Sequence, residues 1–209
     1  MTLHHKSLKY LAATDPVMSK LIKHIGSINL KPRRHPPFQS IIHAIIHQQL
    51  SGNVARAIFN RFVALSKNGK FPTPEEIINM DSETMRGAGL SRAKVIYVKS
   101  VADMALNGSI PSLKECDKLS DAELKERLIK IKGVGPWTVE MLLIFNLGRL
   151  DVLPIHDLGV RKGFQLAYKK RKLPTPEQLE RFGRKWKPYR TIATLYLWGA
   201  ADFINLNEW

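Results

Sequence analysis

Two features of the chain have residue types and a spacing that could support chemistry. The first is the turn Gly133-Val134-Gly135, with Lys130 and Lys132 before it and Trp137 after it. Glycines leave backbone N–H groups open to an approaching anion, because no side chain stands in the way. The second is a carboxylate, Asp157, which comes 20 residues after Trp137. A phosphate-binding turn, an aromatic side chain and an acid together indicate chemistry on a nucleic acid.

Each feature also has a purely structural interpretation. The turn could simply join two packed helices, although two glycines beside lysines favour phosphate binding. Trp137 could pack in the core. Asp157 precedes the helix-forming segment 158–164, so it could be an N-cap. Cap and catalyst are compatible roles, because a carboxylate at a helix N-terminus stays ionised.

The composition indicates a basic protein with a sizeable core. The chain has 209 residues, 44% of them hydrophobic, and its 33 Lys and Arg against 18 Asp and Glu give a formal charge of +15. The excess is spread along the chain, so we expect the folded body, and not a tail, to bind a polyanion. A basic surface without a particular partner is the alternative.

The cysteine count and the apolar segments exclude several classes of protein. A single cysteine, Cys116, rules out a disulfide framework, a CxxC zinc site and a cysteine-ligated iron–sulfur cluster. The N-terminus lacks the apolar core of a signal peptide, and no segment approaches the length of a membrane span. We therefore expect an intracellular protein that does not bind membranes.

Helix signals recur along the chain, and the period-two alternation of strands is absent. Capping signatures predict helix starts at Asp15, Thr73, Ser91, Ser120 and Thr175. With the apolar segments, they predict an all-α fold of about ten helices. The glycine turn is predicted to join a helix over 122–131 to an apolar helix over 136–147.

The order of the predicted helices suggests two lobes within one module that spans residues 1–209. A break near residues 149–154 would separate lobe A, about 37–150, from lobe B, about 1–36 plus 151–209. Lobe A contains the hairpin, residues 122–147. We expect the hairpin to flank a cleft between the lobes that holds the active site.

Five segments, in a fixed order between about Phe38 and Trp198, carry a family resemblance. They are 45–51, 89–94, 131–138, 153–161, and 186–190 with Leu197-Trp198. In these segments the chain resembles the helix-hairpin-helix DNA glycosylase superfamily and, within it, the DNA-3-methyladenine glycosylase II family. Its length matches the minimal form of that family, which lacks the N-terminal β-domain.

The resemblance implies how the reaction would proceed. Asp157 takes the position of the catalytic carboxylate, which stabilises the oxocarbenium-like sugar and helps water attack the anomeric carbon. Trp137 stands where the strand-cutting members carry a lysine nucleophile. Tryptophan cannot form an imine, so the enzyme is expected to be monofunctional.

The resemblance also implies a base pocket and a plug for the gap that a flipped base leaves. Trp137 and Trp198 would be its aromatic walls, and Met141 stands where an aromatic residue can occur. A cationic alkylated purine gains attraction from an indole face. The wedge loop is Gln48-Gln49-Leu50-Ser51, with either Leu50 or Gln49 as the wedge itself.

The remaining expectations concern DNA and cofactors. The predicted phosphate contacts are Gly133, Val134, Gly135, Thr138, Lys130, Lys132 and Arg161, with Arg92 and Lys94 as weaker candidates. No cofactor and no transition metal is expected. The resemblance implies that the hairpin can bind a monovalent cation through the carbonyls of Ile129, Ile131 and Val134.

These expectations together describe a monomeric glycosylase of base excision repair. It would act on duplex DNA, wherever the cell keeps it, and hydrolyse alkylated purines of the 3-methyladenine type. The first alternative is the same scaffold acting on an etheno or deaminated purine. A non-catalytic protein that binds DNA damage is the second alternative, and a bifunctional lyase is the third.

Overall fold

The computed structural model describes residues 3–50 and 52–203, and these residues are helical with no β-strand. The prediction of an all-α fold is confirmed. The thirteen α-helices of the described residues are α1 Leu3–Thr14, α2 Pro16–Ile25, α3 Pro37–His47, α4 Gly52–Ala64, α5 Pro74–Asn79, α6 Ser82–Gly87, α7 Arg92–Leu106, α8 Leu113–Lys118, α9 Asp121–Leu128, α10 Pro136–Met141, α11 Leu158–Ala167, α12 Pro176–Gly183 and α13 Arg190–Phe203. A π-helical segment, Leu142–Leu147, follows α10, and a 3₁₀ turn, Arg184–Trp186, follows α12.

The helix boundaries follow the capping signals. Asp15, Ser91 and Ser120 each accept backbone N–H bonds at the predicted starts of α2, α7 and α9. Thr73 and Thr175 form the predicted capping boxes of α5 and α12. The estimate of about ten helices is too low, because helices of six residues such as α6 and α8 are too short to give a visible periodicity.

The apolar segment 136–147 differs from the single α-helix that was predicted. It is α-helical only to Met141 and continues as the π-helical segment. The helix before the turn ends at Leu128, not at Ile131, because the Ile131 N–H donates to the Leu128 carbonyl at 3.1 Å in a tight turn. Both differences lie at the hairpin, where backbone geometry departs from regular helix.

The chain divides into two compact units. Unit 1 comprises Met1–Lys31 with Gly148–Trp209, and unit 2 is Pro32–Leu147. The core of unit 2 contains the apolar face of α3, which is fully buried at Ile41, Ile42, Ile45 and Ile46. No helix among the described residues is long and apolar enough to cross a membrane.

A buried carboxylate organises unit 1. Asp15 is 1% exposed and accepts hydrogen bonds from the Tyr168 hydroxyl, the Trp186 indole and the Lys185 ammonium. Burial alone would raise the pKa of Asp15, but these hydrogen bonds outweigh it and hold the pKa below its ordinary value. The first turn of α2 is thereby joined to the segment around Trp186.

Candidate active site

Asp157 lies in unit 1, at the N-cap of α11. One of its carboxylate oxygens, Oδ1, accepts the Val160 N–H at 2.8 Å and the Trp198 Nε1–H at 2.9 Å. The N-cap interpretation of Asp157 is therefore confirmed. It does not exclude a role in chemistry, because the same two donors fix the orientation of the half-buried carboxylate.

Two glycines on α11 let Trp198 reach the carboxylate. A Cβ on Gly159 would lie 3.0 Å from Trp198 Cδ1 and 3.1 Å from Asp157 Oδ1, and a Cβ on Gly163 would overlap the backbone carbonyl of Leu197. Larger residues would thus push α13 away from α11. Sequence reasoning missed both glycines, although their spacing of four residues on one helix face was a usable signal. Asp157, Gly159 and Trp198 are called the acid corner below.

The hairpin lies in unit 2, and its two glycines have different surroundings. Gly133 has a φ of +87°, and a Cβ there would overlap the Tyr97 ring. Both the backbone conformation and the packing at this position therefore require glycine. Gly135 has an ordinary φ of −99°, and a Cβ there would meet nothing within 4 Å. Neither N–H donates a hydrogen bond to another residue in the described part of the chain. At Gly135 the space that a side chain would occupy is therefore open, and the N–H is available.

Two predicted phosphate contacts face inward instead. Val134 is 4% exposed, and its N–H already donates to the Ile131 carbonyl at 3.0 Å. Thr138 is 1% exposed, and its hydroxyl accepts a hydrogen bond from Gln48 at 3.0 Å. The Val134 N–H and the Thr138 hydroxyl are therefore already bonded within unit 2, and a phosphate contact by these two residues stays a prediction.

The predicted cationic contacts fall into two groups. Lys130 and Lys132 are exposed, and Lys130 forms only a loose pair with Glu126 at 3.8 Å. Arg161 is half-buried, and its Nε donates to the Pro174 carbonyl at 2.8 Å, so it holds a loop of unit 1. Lys94, the weaker candidate, donates to the carbonyls of Ile46 and Gln48 at 2.7 and 2.9 Å. It caps the end of α3, and burial lowers the pKa of Lys94.

The predicted wedge loop is partly tied to the hairpin. The Gln48 side chain donates to the Gly133 carbonyl at 3.1 Å and to Thr138, so it does not face outward. Gln49 is exposed and has a φ of +57°, and Leu50 is 38% exposed. Both therefore remain candidates for the wedge. Ser51 lies outside the described residues.

A cavity of about 340 Å³ lies within unit 2 and contains two of the predicted base-pocket residues, Trp137 and Met141. Its other lining residues are Arg33, Ser40, His43, Ala44, His47, Gly52, Arg56, Phe59, Phe145 and Asn146. Sequence reasoning missed the polar side of this cavity. The signal was a pair of histidines four residues apart on α3, whose other face is aliphatic.

The two histidines form a neutral stack. Their ring centroids are 4.0 Å apart at an angle of 18°, and the Phe59 ring meets His43 edge-on at 4.7 Å. Burial, with smaller contributions from His47, Arg33 and His35, lowers the pKa of His43 to about 3. Burial also lowers the pKa of His47, against the effect of its bond to the His43 carbonyl. Both rings are therefore uncharged at neutral pH.

Within the described ranges, no cluster of three His, Cys, Asp or Glu side chains could hold a metal ion. The hairpin carbonyls are a separate matter. The Ile131 carbonyl accepts the Val134 N–H, whereas those of Ile129 and Val134 accept no hydrogen bond from the residues that the structure describes. A carbonyl oxygen has two lone pairs, so the bond at Ile131 leaves the cation site at these three carbonyls a prediction.

The chain is similar to known proteins along most of its length. Residues 42–188 match the model of the HhH-GPD superfamily of base excision DNA repair proteins. DNA-3-methyladenine glycosylase 1 of Schizosaccharomyces pombe is 44% identical over 95% of this chain and 88% of its own length. The alkylbase DNA glycosidase-like protein mag2 of the same organism is 41% identical over 93% of this chain and 92% of its own length.

Solved structures give the same result. The S. pombe 3-methyladenine DNA glycosylase in complex with abasic DNA has a TM-score of 0.91 at 42% identity, covering 95% of this chain and 97% of that one. A DNA-3-methyladenine glycosidase from Bacillus halodurans has a TM-score of 0.78 at 35% identity, covering 94% and 89%.

Proposed function

The chain belongs to the HhH-GPD superfamily of base excision DNA repair proteins, and we propose that it is a monofunctional DNA glycosylase that removes alkylated purines of the 3-methyladenine type from duplex DNA. It acts as a monomer and needs no cofactor. The observation that carries the proposal is the acid corner, in which two N–H donors hold one half-buried carboxylate.

Asp157 supplies the negative charge in the reaction. The bond between the purine nitrogen and the anomeric carbon breaks, its electron pair leaves with the base, and positive charge develops on the sugar. A fixed carboxylate stabilises that charge without having to reorganise. Water then adds to the anomeric carbon, and its proton is lost to the carboxylate or the solvent.

The aromatic and sulfur-containing wall of the unit 2 cavity receives the base. Trp137 and Met141 line this cavity. Trp198 lies in unit 1, beside Asp157, and stays a predicted wall of the base pocket. No lysine is among the described residues that line the cavity, which supports hydrolysis over an imine intermediate. Trp198 has a second role, because its indole N–H donates to Asp157 and positions the carboxylate.

The hairpin binds the DNA backbone. The available N–H groups of Gly133 and Gly135 meet a phosphate, with Lys130 and Lys132 adding charge around it. Leu50 or Gln49 enters the gap that the flipped nucleotide leaves. A monovalent cation bound by the Ile129, Ile131 and Val134 carbonyls would supply positive charge at the hairpin, where a phosphate oxygen could also bind it.

The decisive experiment uses Asp157→Asn on methylated duplex DNA. The amide oxygen can still accept the Val160 N–H, so the fold and the DNA affinity should persist. We expect the single-turnover rate of 3-methyladenine release to fall on the order of 1,000-fold, the effect of losing one preorganised electrostatic group. Asp103→Asn, at an exposed position of α7, is the matched control and should have no effect.

The outcomes separate the competing functions. Release at the wild-type rate by Asp157→Asn would refute the catalytic role of Asp157. Tight binding of lesion DNA by the wild-type protein, with no abasic site formed over hours, would instead support the non-catalytic alternative. A panel of etheno and deaminated duplexes tests the first alternative substrate range.

A further inference from the structure

The unit 2 cavity contains polar groups for which the proposed reaction has no use. They belong to Ser40, His43 and His47, all on one side of α3. The Ser40 hydroxyl is buried and has no hydrogen-bond partner among the described residues. Buried polar atoms without partners are rare, because each costs free energy unless a ligand or water binds it.

Hydrogen bonds fix which nitrogen of each imidazole carries the proton. His47 Nδ1 is 2.8 Å from the His43 carbonyl, which can only accept, so Nδ1 carries the proton and Nε2 keeps its lone pair. His43 Nδ1 is 3.5 Å from the Arg33 guanidinium, which can only donate. His43 Nδ1 therefore accepts, and His43 Nε2 carries the proton.

The stack consequently presents one acceptor, His47 Nε2, next to one donor, His43 Nε2–H. Neither Nε2 has a hydrogen-bond partner in the part of the chain that the structure describes. The charged and titratable groups that face the pair are Arg33 and His35 before α3, Arg56 on α4 and Lys94 on α7. The Arg33, Arg56 and Lys94 cations disfavour a protonated ring, so the acceptor and the donor both persist at neutral pH.

Purines differ in the pattern that they can offer to this wall. Adenine has an exocyclic amine, a donor, beside a ring nitrogen that accepts, whereas guanine places a carbonyl acceptor at the same point. We propose that His47 and His43 read this difference, His47 Nε2 accepting from the exocyclic amine and His43 Nε2–H donating to the adjacent ring nitrogen. The lone pair of His47 then opposes the guanine carbonyl.

This inference rests on the proposed function and assigns its substrate class, adenine-derived over guanine-derived lesions. Ser40 adds a third polar contact within the same cavity. Trp137 and Phe59 also line the cavity, but contact with an aromatic ring does not distinguish the two bases. The discrimination therefore depends on α3.

The test measures two products from one substrate. Methylated duplex DNA contains 3-methyladenine and 7-methylguanine, and both release rates are followed under single-turnover conditions. His47→Leu removes the acceptor, and we expect the 3-methyladenine rate to fall about tenfold while the 7-methylguanine rate does not fall. His47→Gln keeps an acceptor and should retain most of the 3-methyladenine rate. His5→Leu, on α1 in unit 1, is the control.

Each result decides a different statement. If the wild-type protein is active and both rates fall equally in His47→Leu and His47→Gln, the proposal that His47 and His43 distinguish adenine from guanine is overturned. The proposed function is then unaffected. Wild-type protein that releases neither base would overturn both. Thermal unfolding of the variants distinguishes lost recognition from lost structure.

Discussion

The acid corner in unit 1 and the cavity in unit 2 are built in opposite ways. In the acid corner, Asp157 Oδ1 already accepts two N–H groups of the protein. In the cavity, the Ser40 hydroxyl and the Nε2 atoms of His43 and His47 bind nothing in the described chain. The group proposed to act on the sugar is thus oriented before any ligand binds. The groups proposed to recognise the base instead have their hydrogen-bonding capacity available for the base.

The difference has an energetic origin. An oriented carboxylate can stabilise a transition state only if the fold has already met the cost of holding it in place. Recognition works the other way, since polar atoms left without partners favour only a ligand that can bond them. Substitutions in each region should therefore affect different measurements.

The largest effect on stability is expected at Gly163, where α11 meets α13. Gly163→Ala places a Cβ against the Leu197 carbonyl, so the helices must separate. We expect the free energy of unfolding to fall by about 3 kcal/mol, measured by denaturant titration. Gly87→Ala, where a Cβ meets nothing within 4 Å, is the control. Equal stability of the two variants would mean that close packing does not build the acid corner.

An intermediate effect is expected for Trp198→Phe. An aromatic ring is kept, although a smaller one, but the Nε1–H bond to Asp157 is lost. We expect base release to slow about tenfold, the value of one hydrogen bond to a charged group, with little change in stability.

Trp186→Phe provides the comparison, because its indole donates to the buried Asp15. That variant should lose stability by about 1–2 kcal/mol, while its release rate stays near that of the wild type. If Trp198→Phe instead destabilises the fold and leaves release unchanged, the indole N–H of Trp198 has only a structural role.

The smallest effect is expected for Ser40→Ala. Removal of a buried hydroxyl without a partner should raise the free energy of unfolding by about 1 kcal/mol, while 3-methyladenine release slows a few-fold. Ser66→Ala makes the same change where the hydroxyl bonds Asn68 at 3.0 Å, and it should lower stability. A loss of stability in Ser40→Ala would show that the hydroxyl is satisfied within the fold.

The sequence was sufficient for the fold class and the family, because capping boxes and ordered motifs are local signals. It was insufficient for the direction in which side chains point. The motif containing Val134 and Thr138 predicts a binding turn, but only the packed hairpin places both residues inward. The sequence could not show that His43 and His47 line a cavity together with residues of α10, because a polar pair on a helix usually faces solvent.

Gln48 has a mechanical consequence. Its side-chain amide donates to both the Gly133 carbonyl and the Thr138 hydroxyl, and these two hydrogen bonds hold loop residues 48–50 against the glycine turn. A strand bound at Gly133 and Gly135, as proposed above, would then lie at a set distance from Leu50. A protein that binds the DNA backbone at this turn, as proposed above, would then present its predicted wedge at the same offset from each phosphate that it binds.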